Sequence, residues 1–432
     1  MTAPAPTVNT RGEAQTEPSG ELPEMPSARD GTARVVICTW RDLRHEDGGG
    51  SELYVETVAR GLAAMGNDVT LLCARADGAP SDGIVDGVRY RRRGGRLTVY
   101  PAAALALLLR RVRPHAVIDV QNAIPFFSPL VTSCPVIAHV HQSHREQWDL
   151  MFGQRIAHLG WWVESRLAPR LYRTSAYTTL SEATRAVLAS LGVSPDRVRV
   201  LPVGTPELPE PRSGLSAEPS LVTLGRLVPS KRIEILLRSA ARLRAAHPGL
   251  QVHVIGKGYS EGSLRAEAER LELADAVTFH GWVDEQTKAD LLASAWVQAL
   301  PSVQEGWCLA VAEAGLCRTP SVAFAAAGGV TESIRDGVTG LLAQGGEDAF
   351  VGALDRLLAD RALRTKMGEA ARSFAASRSW AATVDGTAAV IDEVLATARA
   401  RALGAHRNGP PPAAVRGDED GLAELLPAEA AL

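Results

Sequence analysis

LVTLGRLVPSKRIEILLRSAARL, residues 221–243, decides how this chain folds. An apolar run ends at Gly225-Arg226, a proline and two cations follow, and Ile233, Leu236, Leu237 and Ala240 then recur at i, i+3, i+4 and i+7. That is a strand feeding a helix with one buried face. The pattern repeats outward in both directions. Downstream stand QVHVIG (251–256), AVTFHG (276–281), WVQAL (296–300) and PSVAF (320–324); upstream stand RVVICTW (34–40), DVTLLCA (68–74), HAVIDV (115–120), PVIAHV (135–140), AYTTLS (176–181) and RVRVLP (197–202). Helical stretches separate most of them, from about Ser51 and over 100–112, 155–173 and 182–191 in the upstream half. Such alternation builds parallel sheets.

The rhythm pauses once, at LPVGTPELPEPRSGLSAEPS (201–220), which reads as a linker. The expected fold class is therefore α/β: two Rossmann-like domains over 31–205 and 218–380, a linker at 206–217, and a helix over 381–401 able to pack on either domain. At 432 residues and 46% hydrophobic, the chain is about twice what one core organises. The carboxyl ends of two such sheets share a crevice, where open parallel sheets bind ligands. Residues 1–30 and 402–432 are rich in Pro, Ser, Gly and acid and are expected to be largely disordered tails, with a marginal helix at 421–430.

Composition narrows the class of protein. Net charge is −3 and the basic residues are dispersed, which leaves no footprint for nucleic acid. Forty-two arginines stand against four lysines, a bias that, with heavy alanine use, fits a high-GC bacterial genome. Cys38, Cys73, Cys134, Cys308 and Cys317 show neither C-x-x-C nor zinc spacing, so they read as reduced thiols of a cytoplasmic chain without structural metal. No leader pattern opens the sequence and no stretch reaches the roughly 18–20 apolar residues of a membrane span.

Several stretches carry chemistry. Gly48, Gly49 and Gly50 stand where a loop meets the N-terminus of the helix holding Tyr54, Val58 and Leu62, an arrangement that receives an anion, lets a ligand approach the backbone, or simply turns tightly. Arg226 and Lys231 sit at the carboxyl edge of the second sheet beside a helix start, two cations suited to a diphosphate. In PSVQEGWCLAVAEAGLC (301–317) Glu305 precedes a helix and Glu313 lies within it, about 12 Å further along the axis. Paired hydrolase carboxylates stand only about 5–9.5 Å apart. The wider spacing suits the two hydroxyl-rich ends of one extended ligand, with backbone amides from Gly306 through Trp307 and Cys308 to Leu309 at its anionic middle. In VIAHVHQSH (136–144) only His139 and His141 share a strand face, so imidazoles contacting a sugar are a better reading than a three-histidine metal site with His144. Gly328, Gly329 and Glu332 read as a plain loop.

Together these motifs resemble the family-4 retaining glycosyltransferases of the GT-B fold over about residues 34–390. The resemblance rests on GGGSE (48–52), the strand end at His141, G-R-L-x-x-x-K at 225–231, and E-(seven residues)-E at Glu305 and Glu313 with E-G-x-x-L. The usual E-G-F-G-L is here Glu305-Gly306-Trp307-Cys308-Leu309, which alters the pocket while keeping both glutamates. The resemblance implies an acceptor domain followed by a donor domain. Arg226 and Lys231, with the 306–309 amides, would hold a donor diphosphate near Gly49 and Gly50; Glu305 would hold the transferred sugar, Glu313 the ribose, and His141 would contact the sugar near the reaction centre. It implies retaining transfer from a nucleotide-sugar, UDP-sugar foremost, to a hydroxyl of an envelope glycan, glycolipid or small natural product, with no cofactor and no divalent metal.

No G-x-G-x-x-G with a following acid supports a Rossmann dehydrogenase. A nucleotide-sugar epimerase of the same architecture shares the motifs. So does a catalytically silent sugar-nucleotide-binding subunit, against which the retained Glu305, Arg226 and Lys231 argue. Trp161 and Trp162 before Arg166, Arg170 and Arg173, with Arg91, Arg92 and Arg93 in the same domain, read most plainly as a core pair beside a solvated basic face. The sharper reading is peripheral contact with the inner membrane face. Acceptor choice is expected in loops 41–50, 83–96 and 142–160. Oligomeric state is not legible.

Overall fold

A computed structural model describes residues 32–407; the expected tails at 1–30 and beyond 407, with the helix at 421–430, lie outside them. The first sheet holds β1 (Arg34–Cys38), β2 (Asp68–Cys73), β3 (Asp82–Val85), β4 (Val88–Arg92), β5 (Ala116–Gln121), β6 (Val136–Val140), β7 (Ala176–Thr179) and β8 (Val198–Val200), in the order β3-β4-β2-β1-β5-β6-β7-β8. The second holds β9 (Ser220–Leu224), β10 (Gln251–Ile255), β11 (Val277–Gly281), β12 (Val297–Leu300), β13 (Ser321–Phe324) and β14 (Gly340–Ala343), in the order β11-β10-β9-β12-β13-β14. All of these ladders are parallel except β3 with β4.

Helices α1 (Gly50–Ala64), α2 (Val99–Leu108), α3 (Arg145–Met151), α4 (Gln154–Trp162), α5 (Ala168–Leu171) and α6 (Glu182–Ser190) belong to the first half. Helices α7 (Ile233–Leu243), α8 (Glu261–Arg270), α9 (Glu285–Ser294), α10 (Leu309–Leu316), α11 (Val330–Ser333) and α12 (Glu347–Ala359) belong to the second. The anticipated stripe on α7 is buried: Ile233, Leu236, Leu237 and Ala240 join Leu221, Val252 and Val254 in the second core. In each sheet the first strand is flanked on both sides by later ones, β1 by β2 and β5, β9 by β10 and β12. Those are the switch points where parallel sheets open a crevice, and the loops leaving them are 39–49 and 225–232.

The fold departs from the sequence reading in three places. Residues 83–96 are not a free loop, because β3 and β4 form a hairpin across Asp86 and Gly87, both at positive φ (47° and 77°), the turn that matches strand twist. Residues 142–160 carry α3 and α4 instead of a loop. The last helices are α13 (Arg361–Ala376) and α14 (Trp380–Arg407), so helix continues past the expected end at 401 and across Gly404. α14 packs on the first domain: Trp380, Val384, Ala388 and Ile391 share a core with Tyr54, Val58 and Leu62 of α1.

Candidate functional site

The second-domain wall is built from the loop after β9. Pro229–Lys231 form a single 3₁₀ turn and Arg232 takes a left-handed φ of 48° before α7 begins. Arg232 spends its Nε–H on the Pro301 carbonyl at 2.8 Å, and Val303 N–H donates to the Ser230 carbonyl at 2.9 Å, tying this turn to the loop after β12. Lys231 Nζ then meets Glu305 Oε1 at 2.5 Å. Burial opposes the lysine's charge, but Glu305 outweighs it and holds the ammonium above its usual range. Glu305 is itself buried, not placed at an exposed helix entrance as its position in sequence suggests. Its N–H donates to the Ala327 carbonyl and its own carbonyl accepts from Gly329, both at 2.9 Å. The segment read as a plain loop is thus the strap that fixes Glu305.

Across the crevice, Gly49 caps α1. The amide that was expected to await an anion is already held: Glu52 accepts from Gly49 N–H at 2.9 Å, and Arg41 Nε donates to the same carboxylate at 3.0 Å. Gly49 and Gly50 face the second domain at distances where a Cβ would make ordinary contact. A Cβ on Gly49 would lie 3.8 Å from Arg226 Nε, and one on Gly50 would lie 3.4 Å from the Leu309 side chain. Gly306 is more tightly constrained, since a Cβ there would fall 2.3 Å from the His141 carbonyl oxygen. Ala183 N–H also donates to Glu332 at 3.0 Å. The carboxyl ends of the two sheets therefore meet at Gly49, His141, Arg226 and Gly306.

His139 and His141 pack as a pair, ring centroids 4.6 Å apart and edge to face, with His139 stacked on Tyr54 at 5.0 Å. His139 Nδ1 meets Thr178 Oγ1 at 2.9 Å, while neither Nε2 has a protein partner. Burial lowers His139 to about 3 and takes His141 well below the usual imidazole range, the neighbouring histidines adding to the effect at His141. Both are neutral at physiological pH. His144 leaves the pair, its N–H and ring directed to Glu164. Among the described residues no three His, Cys, Asp or Glu side chains gather as a metal site.

Glu313 in α10 has a partner that sequence reading missed. Lys288 Nζ from α9 lies 2.7 Å from Glu313 and 2.7 Å from Glu285. Burial raises the Glu313 carboxyl, against the pull of Lys288; for Lys288 burial opposes the charge, yet the two carboxylates prevail and raise it. Its scarcity was the available signal, because Lys288 is one of only four lysines. Cys308 takes a left-handed φ of 75° at the N-cap of α10, and burial followed by the Glu305 charge pushes its thiol up to about 12, so it stays protonated. The Trp307 side chain packs into the first domain's core cluster under the Arg378 guanidinium, 4.2 Å from the ring centroid, with its Nε1 left without a protein partner.

Two Rossmann-like parallel sheets whose carboxyl ends meet across a cleft have the architecture of GT-B glycosyltransferases. Residues 48–207 match the family described as Glycosyltransferase Family 4, and residues 210–374 match Glycosyl transferases group 1. The chain belongs to the family-4, group 1 glycosyltransferases. It is 30% identical to the D-inositol 3-phosphate glycosyltransferase of Acidothermus cellulolyticus, over 82% of this chain and 88% of that one. It is 28% identical to the protein of that name from Thermomonospora curvata, over 88% and 99%. Among solved structures, sucrose-phosphate synthase from Thermosynechococcus elongatus shares its fold with a TM-score of 0.70 at 21% identity, over 84% of this chain and 100% of the other. Anabaena HepE in complex with UDP and glucose gives 0.61 at 17%, over 85% and 100%. No helix among the described residues is long and apolar enough to cross a membrane.

Proposed function

We propose that this chain transfers a sugar from a nucleoside diphosphate sugar, with uridine the base, to an acceptor hydroxyl, with retention of configuration and without a divalent metal. The observation that carries the reading is the division of charge between the two ends of the 305–313 segment. Lys231 meets one carboxylate, Glu305, with Arg226 a second cation close by, whereas Lys288 is shared by two, Glu285 and Glu313. The first group keeps a surplus positive charge for a diphosphate, and the second keeps a surplus acceptor for ribose hydroxyls.

In this reading Arg226, Lys231 and the first amides of α10, which a helix leaves without intrahelical partners, stabilise the departing diphosphate. Glu305 accepts from a hydroxyl of the transferred sugar, and neutral His141 contacts the sugar opposite. The acceptor hydroxyl attacks the face that the diphosphate leaves, through an oxocarbenium-like state. Gly49 and Gly50 let the first domain close on the donor without a side chain intervening. The HepE complexes with UDP and glucose favour uridine, and the D-inositol 3-phosphate relatives make a phosphorylated polyol the first acceptor to try.

Thermal shift against UDP, GDP, ADP and their sugar conjugates, with and without EDTA, tests the donor site. UDP compounds are expected to raise the melting temperature equally in both conditions. No shift with any of them overturns the donor reading, and a shift abolished by EDTA overturns metal independence. The anomeric configuration of the product, read by NMR, decides retention.

A further inference from the structure

Residues 154–173, QRIAHLGWWVESRLAPRLYR, form α4, one π-helical stretch (163–167) and α5. Their inward face is fixed by small residues: Ala157, Gly160, Ser165 and Ala168 are buried, and a Cβ on Gly160 would lie 2.4 Å from the Trp148 ring. The outward face is left with Ile156, Leu159 and Trp162, 57%, 62% and 52% exposed at three-residue spacing. Arg155, Arg166 and Arg170 stand exposed around them. The segment's one carboxylate, Glu164, faces inward, accepting from His144 N–H and Trp148 Nε1, both at 2.8 Å.

A second helix repeats the pattern on the same side of the first sheet. Ala103 and Leu107 of α2 share a core cluster with Tyr172, which follows α5, so both helices cover one layer. α2 turns Leu105 and Leu108 outward, 47% and 61% exposed, just before the exposed Arg110 and Arg111. Of the tri-arginine run read as part of a basic patch, Arg92 is withdrawn into a buried ion pair with Asp42 at 2.6 Å and Arg93 is bound to Asp82. The positive charge of this flank therefore comes from the two helices.

We infer that this flank of the first domain docks on an anionic bilayer surface. Single exposed leucines are ordinary. Two rows of large apolar side chains, one including a tryptophan, each edged by arginines and with no carboxylate on the outward face of α4–α5, fit a helix lying in the headgroup region. Arginine stems extend over apolar surface while the guanidinium reaches phosphate, and each basic residue near an anionic surface adds to binding. α3, which leads into α4, packs on the Pro229–Lys231 turn. Docking by this flank thus brings the mouth of the cleft to the lipid surface.

The test needs no nucleotide and stands apart from the donor reading. Full-length chain is floated with vesicles of phosphatidylglycerol and phosphatidylcholine in equal parts, and with phosphatidylcholine alone, at low and high salt. Wild type is expected to bind the mixed vesicles at low salt and not the neutral ones. Leu159→Glu with Trp162→Glu should lower partitioning at least about tenfold. Replacing Arg155, Arg166 and Arg170 with glutamine should lower it about a hundredfold and flatten the salt dependence. All five positions are exposed, so melting temperatures and UDP-induced shifts should match wild type. No binding by wild type, or equal binding by both variants, overturns the proposal. So does a concentration-dependent dimer that the Leu159→Glu variant dissolves, because a second copy then covers the face.

Discussion

The two lysine–glutamate pairs at either end of the 305–313 segment look alike and differ in what surrounds them. Lys231–Glu305 lies where the two domains touch, with Arg226 adding a second cation and the His141 backbone pressed against neighbouring Gly306. Lys288–Glu313 lies within the second domain, between α9 and α10, with Glu285 adding a second carboxylate. A buried pair in isolation does little for stability, since desolvation offsets most of its attraction. The lesson lies in the odd group out: in the proposed reading, a third charge of either sign converts a neutral pair into a site that prefers anions or hydroxyls.

The largest break in this comparison is Glu305→Gln, which keeps the shape and removes the charge. Turnover should fall about 10²–10³-fold, and the melting temperature should fall as well because Lys231 loses its partner in a mostly buried place. Steady-state kinetics beside a melting curve checks both, and unchanged turnover would remove Glu305 from the site.

Next in size is the contrast between this charged wall and the neutral wall opposite. His139 and His141 titrate far below the roughly 6.5 of the unfolded chain, so their contribution to stability is intact above about 6.5 and is lost as pH falls below it, towards about 3 for His139. The steepest loss from the two together is about 2.7 kcal/mol per pH unit. Urea unfolding between neutral and acid pH should show that slope in wild type, and a His139→Asn, His141→Asn chain should flatten it. Glu313 works in the opposite sense: its carboxyl is raised, so its contribution is complete below about 4.3 and is lost as pH rises through the folded value.

Lys288→Met probes the end proposed to hold the ribose. It should raise the donor KM about tenfold with kcat within about twofold, a loss of about 1.4 kcal/mol in binding. A large fall in kcat instead would make both pairs catalytic and erase the distinction. The mildest variant, Glu285→Gln, takes away the surplus carboxylate and should raise the donor KM about two- to threefold; no change would show that Glu313 alone sets that end.

The sequence declared the second domain most openly, because its strands are short continuous apolar runs and α7 shows a clean 3.6-residue stripe. β4 hid its alternation behind arginines, one of which, Arg92, is buried only because Asp42 from another loop neutralises it. β14 is four residues long and carries little signal. Glu305 and Glu313 were legible as a spaced pair, but Lys288 lies twenty-five positions from Glu313 on a different helix, and no local pattern links them. The inward turn of Trp307 and the burial of Glu305 depend on how the domains meet, which spacing along a chain does not encode. Tyr54 was visible as a helix-face residue. That it stacks on His139, and so helps keep an imidazole dry, required the assembled sheet.

The course of α14 bears on how this protein is made. Trp380, Val384 and Ile391 complete the packing around α1, yet they are synthesised more than three hundred positions after it. The amino-terminal half must therefore emerge from the ribosome with Tyr54 and Val58 uncovered and wait for α14, whereas the second domain's core draws only on residues of that domain. Birth order and maturation order are reversed, and a chain stalled before residue 380 would expose an adhesive apolar surface in the part of the protein that was made first.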